Sequence, residues 1–336
     1  MATRVAVIGA GAWGTALALH LARQGHEVIL WAFEPEVSEE INLHHENRTY
    51  LPEIKLPETL KATSSLAEGL EGAELVLLVV PSHVMRQVVV QGAAHLPRGV
   101  PIVSASKGVE NDSLMTMCEV LEDVLPIVYH PMLAFLSGPS FAREVGLGHP
   151  TAVSVAARFE RVAEQVQQQL SGPFFRVYTS TDVVGVELGG ALKNVMAIAA
   201  GTADGLGFGY NTAAALITRG LAEMTRLAVK LGANPLTLAG LSGMGDLVLT
   251  CTGGLSRNRQ VGQKLGQGRN LAEILGEMRQ VAEGVKTARS VHALARREDV
   301  DMPIADQVYR MLYEDLPAAS VVHNLMGRSL KKELHP

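Results

Sequence analysis

Short apolar runs recur through the first 180 residues of the chain, separated by segments that are polar or apolar on one face only. Runs of this length are typical of buried strands, and the spacing between them is typical of helices. The run over 75–80 is apolar at every position, as expected of a central strand covered on both faces. The pattern predicts strands at 5–8, 27–31, 60–63, 75–80, 100–104, 134–137, 151–156 and 175–179. This alternation of strands and helices predicts an α/β domain with a doubly wound sheet.

Helices are predicted between these strands at 35–47, 84–91 and 159–170, with another ending near residue 125. Ser64 or Ser65 should cap a short helix that ends near Gly69, and residues 50–57 are predicted to form a loop. Beyond residue 180 the apolar runs stop. Ala, Leu and Gly then recur with helical spacing, which predicts long helices at 183–203, 212–231 and 271–296. The chain should therefore consist of a sheet domain, residues 1–180, and an all-helical C-terminal domain, residues 181–336.

Three glycines follow the first predicted strand at positions that suit a nucleotide-binding turn. Gly9, Gly11 and Gly14 stand between this apolar strand and a predicted helix. The first glycine permits a sharp turn, the second lets a pyrophosphate approach the backbone, and the third lets helix and strand pack closely. A purely structural turn would also explain the glycines, but the strand at 27–31 completes a βαβ unit. We therefore predict a Rossmann-like domain that binds a dinucleotide at the N-terminus of its first helix.

The composition narrows the class of function. Hydrophobic residues make up 47% of the 336 residues, and the net charge of −5 gives no basic excess for nucleic acid or an anionic membrane. The sequence has no uncharged stretch of membrane-spanning length, and its first strand begins too early for a secretory signal. The two cysteines suit a reducing compartment, and neither they nor the eleven histidines show metal-ligand spacing. We expect a soluble cytoplasmic protein that needs no metal and does not insert into membranes.

Polar residues follow two of the predicted strands, at the edge where a sheet of this kind binds its ligand. Ser106, Lys107 and Gly108 come after one strand, and residues 137–140 (Ser-Gly-Pro-Ser) come after the next. Lys107 could be a solvated surface lysine. Its place between a strand end and a glycine favours a position in a site.

Two further polar groups stand out in the helical half. Lys193 lies in a stretch of small and apolar residues, where a lysine either extends its amine to solvent or is partly buried. Burial would lower the pKa of the amine and make it a usable general base. Asp246 lies in a glycine-rich segment, and Ser256 with Arg257 is typical of a helix start that binds an anion. An ordinary capped helix with a solvated arginine would explain that pair as well.

Taken together, these motifs resemble one family, the bacterial-type NAD(P)-dependent glycerol-3-phosphate dehydrogenases. The resemblance covers nearly the whole chain and keeps the order of the motifs. The matching stretches are residues 9–17 (GAGAWGTAL), 106–108 (SKG), 137–142 (SGPSFA), 187–194 (ELGGALKN), 245–247 (GDL), 256–259 (SRNR) and 281–284 (VAEG). The combination is far more specific than any single motif.

The resemblance implies that the enzyme interconverts sn-glycerol 3-phosphate and dihydroxyacetone phosphate with NAD(H) or NADP(H), and so supplies glycerophospholipid synthesis. It implies catalytic positions at Lys193, Asp246 and Lys107, where Lys193 exchanges the hydroxyl proton and Asp246 orients it. Substrate-binding positions are implied at Lys107, Gly138, Ser140, Lys193, Asp246, Ser256, Arg257 and Asn258, of which the last three suit the phosphate. Cofactor-binding positions are implied at Gly9, Gly11, Ala12, Trp13, Gly14, Phe33, Lys107, Ala142, Arg257, Val281 and Glu283.

One position departs from the family pattern. Family members often have Arg or His where this chain has Phe33, and a basic residue there would pair with the 2′-phosphate of NADP. Glu34 lies 20 residues after Gly14 (34 − 14), which suits an acidic residue that binds the ribose of NAD, although it comes slightly late for the strand. Arg48 could reach back from the following loop. We therefore expect both nucleotides to be used.

Two other functions are compatible with the sequence. A β-hydroxyacid-type dehydrogenase also combines a dinucleotide domain, helices and a catalytic lysine, and a non-catalytic nicotinamide-binding sensor would need only the dinucleotide domain. Residues 256–258 near Asp246 argue against the first, and Lys193, Lys107 and Asp246 at matched positions argue against the second. The expected partner is a small phosphorylated substrate, and a homodimer is left open.

Overall fold

The computed structural model describes residues 2–278, 282–330 and 332–333. Within these residues the N-terminal part contains ten strands. They are β1 (Arg4–Ile8), β2 (Glu27–Trp31), β3 (Glu46–Asn47), β4 (Leu51–Lys55), β5 (Lys61–Thr63), β6 (Leu75–Leu78), β7 (Ile102–Ser104), β8 (Leu133–Ser137), β9 (Thr151–Ala157) and β10 (Phe175–Ser180).

Sixteen α-helices occur in the same described residues, seven among the strands and nine after them. They are α1 (Ala12–Arg23), α2 (Pro35–His44), α3 (Leu66–Leu70), α4 (Met85–Gly92), α5 (Met117–Val124), α6 (Ala142–Leu147), α7 (Glu160–Leu170), α8 (Val183–Gly205), α9 (Tyr210–Lys230), α10 (Pro235–Leu238), α11 (Asp246–Thr252), α12 (Arg257–Gly266), α13 (Leu271–Gly276), α14 (Glu283–Arg297), α15 (Pro303–Tyr313) and α16 (Ala318–Met326).

Eight strands form one sheet in the order β10-β9-β8-β7-β6-β1-β2-β5. β1 is parallel to both its neighbours, and Ile8 is paired with Trp31 of β2 and Leu78 of β6. The chain crosses from β2 to β5 on one side of β1 and returns to β6 on the other, so the strand order reverses at β1, where such sheets bind ligands. β9 is antiparallel to β8 and β10 is parallel to β9, so the last two strands run against the other six.

Helices cover both faces of this sheet because successive strand residues point in opposite directions. Val5 and Val7 of β1 belong to an apolar cluster that includes residues of α1 and α7. Ala6 and Ile8 belong to a second cluster, which includes residues of α4 and α5. All four β1 side chains are almost fully buried. The predicted doubly wound α/β domain is thus confirmed, with two reversed strands at one edge.

The helical part is assembled around α8. Leu188, Leu192 and Val195 of this helix belong to a third apolar cluster, which includes residues of α9, α14 and α15. By length and composition α8 could span a membrane, but 89% of its apolar window is buried inside the protein. It is apolar because it is the core helix of this part.

Glycines bring α12 into backbone contact with α8. A Cβ built on Gly201 or Gly205 of α8, or on Gly262 or Gly266 of α12, would lie 2.0–2.4 Å from a backbone oxygen of the other helix. The four glycines therefore allow an approach that side chains would prevent. This contact fixes the start of α12 close to the middle of α8.

The segment after β2 differs from its prediction in two places. Residues 50–57 are not all loop, because β4 pairs antiparallel with β3 and buries Leu51 and Ile54 in the first cluster. The helix predicted from Pro35 to about Asn47 is present but shorter, because it ends at His44, where His45 adopts a left-handed φ of 52° and its N–H caps the helix.

The helix predicted over 271–296 is also wrong, because the structure has two helices there. α13 ends at Gly276, and α14 begins at Glu283. Apolar residues keep a helical spacing across this break and no proline marks it, so periodicity could not show it. Residues 279–281, which include the predicted cofactor-binding residue Val281, lie outside the described residues.

Candidate active site

The turn from β1 to α1 has the geometry that its glycines predict. Gly9 has a φ of +122°, which favours glycine, and a Cβ on Gly14 would lie 1.8 Å from the Gly9 carbonyl oxygen. In contrast, apart from Gly11 itself and its chain neighbours, no described atom lies within 4 Å of a Cβ built on Gly11. The start of α1, at Ala12 and Trp13, has no side-chain cap. Its first N–H groups can therefore bind an anion in this open space.

Three strand ends lie side by side next to this turn. A Cβ on Gly9 would lie 2.6 Å from the carbonyl oxygen of Val79, which follows β6. The Ser106 hydroxyl, which follows β7, donates a 2.5 Å hydrogen bond to the carbonyl of Val80. The predicted neighbourhood of the glycine turn and residues 106–108 is therefore present at the carboxyl edge of the sheet.

The β3–β4 hairpin supports the glycine turn, a role that sequence reasoning missed. The fully buried Asn47 donates from Nδ2 to the carbonyl of Ala10 at 2.8 Å and to Thr15 Oγ1 at 2.9 Å. Thr15 Oγ1 itself donates to Ala10 at 3.1 Å. One amide thus joins the turn to the first turn of α1. Asn47 lies in a polar segment of the sequence, so nothing there distinguished it from a surface asparagine.

The tip of β2 carries no basic group on its own chain segment. Phe33 is 76% exposed and lies edge-on to Trp31, with ring centroids 6.3 Å apart. The Glu34 carboxylate accepts a 2.8 Å hydrogen bond from the Tyr50 hydroxyl, so it is held by the hairpin. Arg48 forms ion pairs with Glu46 at 3.4 Å and Glu40 at 3.9 Å, and these carboxylates offset its positive charge.

Three charged groups from different elements meet in the cleft between the sheet edge and the helices. Lys193 Nζ of α8 donates to Asp246 Oδ1 at 2.8 Å, and Lys107 Nζ donates to Asp246 Oδ2 at 2.7 Å. Lys193 is 7% exposed and Asp246 only 1%. Of the two alternatives for Lys193, the structure shows the buried one. We call Lys107, Asp246 and Lys193 the charged triad.

Thr250 completes the surroundings of Lys193, and sequence reasoning missed it. Its Oγ1 accepts a 2.7 Å hydrogen bond from Lys193 Nζ and donates a 2.6 Å bond to the backbone carbonyl of Asp246. Thr250 follows Asp246 by four residues on α11, a spacing that places both on one helix face. That spacing was the available signal.

The environment shifts the pKa values of the triad in directions that suit proton exchange. Burial lowers the pKa of Lys193 to about 8, and nearby Lys107 adds to this effect, while the Asp246 carboxylate opposes it. Burial alone would raise the pKa of Asp246, but Lys107 and Lys193 outweigh it, so the pKa lies below its ordinary value. Lys193 can therefore exist as amine or ammonium near neutral pH, beside a permanent carboxylate.

The loop after β8 connects the triad to the sheet. The carbonyl of Gly138 accepts hydrogen bonds from Lys107 Nζ at 3.1 Å and from the Ser140 hydroxyl at 3.0 Å. Gly138 has a φ of +145°, and a Cβ there would lie 2.9 Å from the Cα of Val153. The predicted residues Gly138 and Ser140 therefore lie beside Lys107. Ala142 begins α6 just beyond them.

The start of α12 lies next to α8 and α14. Ser256 caps α12 by accepting from the N–H of Arg259, as predicted. Asn258 donates from Nδ2 to Asn194 Oδ1 at 2.9 Å and accepts from the N–H of Gly284 at 2.9 Å. One amide thus joins three helices next to Lys193.

Glu283, the first residue of α14, belongs to the same electrostatic neighbourhood. Burial raises the pKa of its carboxyl, while Arg257, Lys107 and Lys193 pull that pKa down. Arg257 is the exposed first residue of α12. The structure therefore brings Lys107 and Gly138 of the sheet edge next to Lys193, Asp246 and Glu283 of the helical part. No group of His, Cys, Asp or Glu side chains in the described ranges is arranged to hold a metal ion.

Comparisons with known proteins show the family of the chain. A family model described as NAD-dependent glycerol-3-phosphate dehydrogenase N-terminus matches residues 4–163, and the corresponding C-terminus model matches residues 182–323. Glycerol-3-phosphate dehydrogenase (NAD(P)+) of Geobacter sp. strain M21 is 60% identical over 333 residues, or 99% of each chain. The protein of the same name from Citrifermentans bemidjiense is 59% identical over 333 residues, again 99% of each.

Solved structures give the same result. The crystal structure of glycerol-3-phosphate dehydrogenase from Coxiella burnetii aligns with a TM-score of 0.93 at 43% identity, and covers 97% of this chain and 99% of that one. A ketopantoate reductase from Ralstonia eutropha, at 17% identity and a TM-score of 0.60, shares the fold alone.

We predict that Asn47→Ala loosens the glycine turn. The variant should lose about 1–3 kcal/mol of folding free energy, because the two buried hydrogen bonds from Asn47 Nδ2 disappear together with the one that its Oδ1 accepts from the N–H of Tyr50. Its Kd for the dinucleotide should rise roughly tenfold if the displaced turn costs the complex about 1.4 kcal/mol. Denaturant titration and isothermal calorimetry measure the two effects.

Asn42→Ala is the matched control for this prediction. Asn42 is exposed, and its side chain makes two hydrogen bonds, both with the backbone of Ala62 in β5 and none with the glycine turn. It should lower stability without changing the Kd. Equal changes in Kd for both variants would show that Asn47 has no particular role at the turn.

Proposed function

The chain belongs to the NAD-dependent glycerol-3-phosphate dehydrogenase family, and we propose that it interconverts sn-glycerol 3-phosphate and dihydroxyacetone phosphate with Lys193 as the acid–base residue. The observation that carries this proposal is the buried Lys193–Asp246 pair at the cleft beside the glycine turn. As a family member the chain is an NAD(P)-dependent oxidoreductase, and the reaction feeds glycerophospholipid synthesis.

The glycine turn fits a dinucleotide. The space at Gly11 and the uncapped start of α1 suit a pyrophosphate, which Gly9, Ala12, Trp13 and Gly14 would hold through the backbone. Phe33, Lys107, Ala142, Arg257, Val281 and Glu283 are proposed to contact the rest of the molecule. When bound, the nicotinamide accepts a hydride from the alcohol or returns one to the ketone.

We propose that Lys193 moves the proton of the substrate hydroxyl. As a neutral amine it takes the proton when the alcohol is oxidised, and as an ammonium it returns the proton when the ketone is reduced. Its pKa of about 8 makes both forms accessible. Asp246 and Thr250 orient the amine through the hydrogen bonds described above. Lys107, on the other oxygen of Asp246, is placed to stabilise negative charge on the substrate oxygen.

We propose that the start of α12 binds the phosphate of the substrate. Arg257 contributes a guanidinium, which pairs well with phosphate oxygens. The N-terminus of the ten-residue helix contributes backbone N–H groups, and Ser256 can donate its hydroxyl hydrogen. Asn258 uses one N–H on Asn194 and keeps the second for the ligand. Gly138 and Ser140 would contact the substrate from the sheet side.

We also propose that the chain divides into two domains near residue 180. The end of β10 at Ser180, the start of α8 at Val183 and the two family-model ranges support domains at 1–180 and 181–336. We propose a cytoplasmic location. Cys118 and Cys251 are both buried and free, as is usual in a reducing compartment.

We propose that two copies associate through α9 and α16. Tyr210 at the start of α9 is 95% exposed and Met326 at the end of α16 is 81% exposed. A cavity of about 530 Å³ lies between these helices and is lined by residues such as Leu216, Val321 and Leu325. Apolar surface of this kind favours a protein contact. Sedimentation velocity should show a dimer that Tyr210→Glu dissociates, whereas a monomeric parent protein would refute this point.

Lys193→Met should lower kcat by about 10²-fold or more, the usual effect of removing an acid–base residue.

In the parent protein, kcat/KM for alcohol oxidation should rise about tenfold per pH unit and level off near pH 8, because the neutral amine is required. For ketone reduction it should fall above that pH, because the ammonium is required. The residual activity of the variant should lack both transitions.

Calorimetry provides the control for Lys193→Met, since its Kd for the dinucleotide should be unchanged. The assays should include dihydroxyacetone phosphate, unphosphorylated dihydroxyacetone and small β-hydroxyacids. Turnover of β-hydroxyacids alone would support the alternative dehydrogenase class, and intact binding without any turnover in the parent protein would support a sensor. Near-normal turnover by the variant would move the acid–base role to Lys107.

Phe33→Arg should raise the NADPH/NADH ratio of kcat/KM roughly tenfold, as expected if one exposed charge pair adds about 1 kcal/mol or slightly more. The physical reason is that Phe33 cannot neutralise a 2′-phosphate, and Arg48 lies beside two carboxylates. Phe33→Leu is the control, because it removes the ring without adding charge. The parent could instead be selective for NADPH already, with an NADPH/NADH ratio of kcat/KM that Phe33→Arg leaves unchanged. That result would show that another cationic residue binds the 2′-phosphate.

A further inference from the structure

Glu187 is a partly buried acidic residue on the helix that carries Lys193, and it has no part in the mechanism above. Its Oε1 accepts a 2.9 Å hydrogen bond from the backbone N–H of Cys118, and its Oε2 is buried without a hydrogen-bond partner among the described residues. Burial raises the pKa of this carboxyl to about 8, although the N–H of Cys118 opposes the rise. A group held at such a cost in solvation needs a structural or functional reason.

The partner of Glu187 is the N-terminus of α5. Cys118 is the second residue of that eight-residue helix, and its N–H is one of those that no helical carbonyl can reach. Thr116 and Glu119 form a capping box that satisfies two other N–H groups. The carboxyl from α8 therefore completes the cap and joins α5 to the helical core.

A short connection leads from the start of α5 to Lys107. Thr116, the cap residue, is bridged antiparallel to Val109, and the N–H of Glu110 donates to the carbonyl of Met115 at 2.9 Å. Residues 109–116 are therefore a closed turn rather than a free loop. Val109 is two residues beyond Lys107, is 3% exposed, and packs in the apolar cluster of the helical part.

We propose that Glu187 is a positioning residue for Lys107. By fixing the start of α5 to α8, it sets the distance between the Lys107 segment and the helix that carries Lys193. The two lysines then reach the two oxygens of Asp246 together. The proposal rests on the role given above to Lys107 in the reaction.

The test is a double-mutant cycle between Glu187→Ala and Lys107→Met, measured as kcat of the full-length enzyme in the dihydroxyacetone phosphate direction. Glu187→Ala should lower kcat about 10- to 100-fold in the parent, the effect of misplacing a site group by about 1 Å. With Met at position 107, the same change should alter kcat less than about twofold, because no ammonium remains to be placed. Glu187→Gln should restore most of the loss, since its amide oxygen can accept from Cys118.

Glu223→Ala is the matched control. Glu223 is 2% exposed and caps α15 in the same way, with its carboxylate accepting from the N–H groups of Ile304 and Ala305 at 2.8 and 3.2 Å. Its contacts are confined to the helical part. We expect a fall in Tm similar to that of Glu187→Ala, and whatever it costs in kcat should be the same in both backgrounds.

Two outcomes would overturn the proposal, and they have different meanings. If Glu187→Ala lowers kcat equally with Lys or Met at position 107, Glu187 is a structural cap like Glu223, and the role of Lys107 is unaffected. If Lys107→Met itself leaves kcat unchanged, the role proposed for Lys107 fails as well. A Glu187→Gln variant as impaired as Glu187→Ala would also overturn it, because the hydrogen bond to Cys118 would then not be what matters.

Discussion

The carboxylate of Asp246 is the group on which the site depends. Its two oxygens bind ammonium groups that arrive from opposite sides, one from the sheet edge and one from the core helix. Burying an ion costs several kcal/mol, and removal of one partner of a buried pair commonly costs about 3–5 kcal/mol. The charge of Asp246 therefore depends on both lysines, and Glu283 adds a second carboxyl to their surroundings. This contact joins the sheet part of the chain to the helical part.

The hydrogen bonds of the charged triad require that the helices and loops carrying its residues are held in fixed positions. α8 is fixed by the apolar cluster around it, and α12 is fixed against α8 by glycines on both helices. Asn258 then joins α12 to α8 and to the start of α14. On the sheet side, Gly138 allows its loop to pass close to β9 while its carbonyl accepts from Lys107. Small residues at the contacts and amides at the junctions thus give the site its rigidity.

Much of the fold could be predicted, because each parallel strand is a continuous apolar run and each run is closed by glycine, proline or a polar cap. β2 was predicted with its observed bounds, and β1 and β8 to within one residue. β4 could not be predicted, because Pro52 and Glu53 interrupt its apolar pattern. The break between α13 and α14 was missed because apolar spacing is the same on both sides of it.

The site was predictable to the extent that its residues stand at strand ends or in an unsuitable background, as Lys107 and Lys193 do. Thr250, Asn47 and Glu187 were not predicted in any role. Thr250 could have been indicated by its four-residue spacing from Asp246. Asn47 and Glu187 act through partners that are distant in sequence, and the sequence of one chain does not identify such pairs.

The β3–β4 hairpin also bears on how this enzyme can change over evolutionary time. It is inserted between β2 and β5, and within ten residues it carries both Asn47, which holds the glycine turn, and Tyr50, which holds Glu34 at the tip of β2. The charged triad draws none of its hydrogen bonds from this hairpin. Under the cofactor position proposed above, substitutions in the hairpin would alter contacts with the adenosine end without removing a hydrogen bond from the triad. Nucleotide preference could then change within a lineage while the groups proposed for proton transfer stay in place.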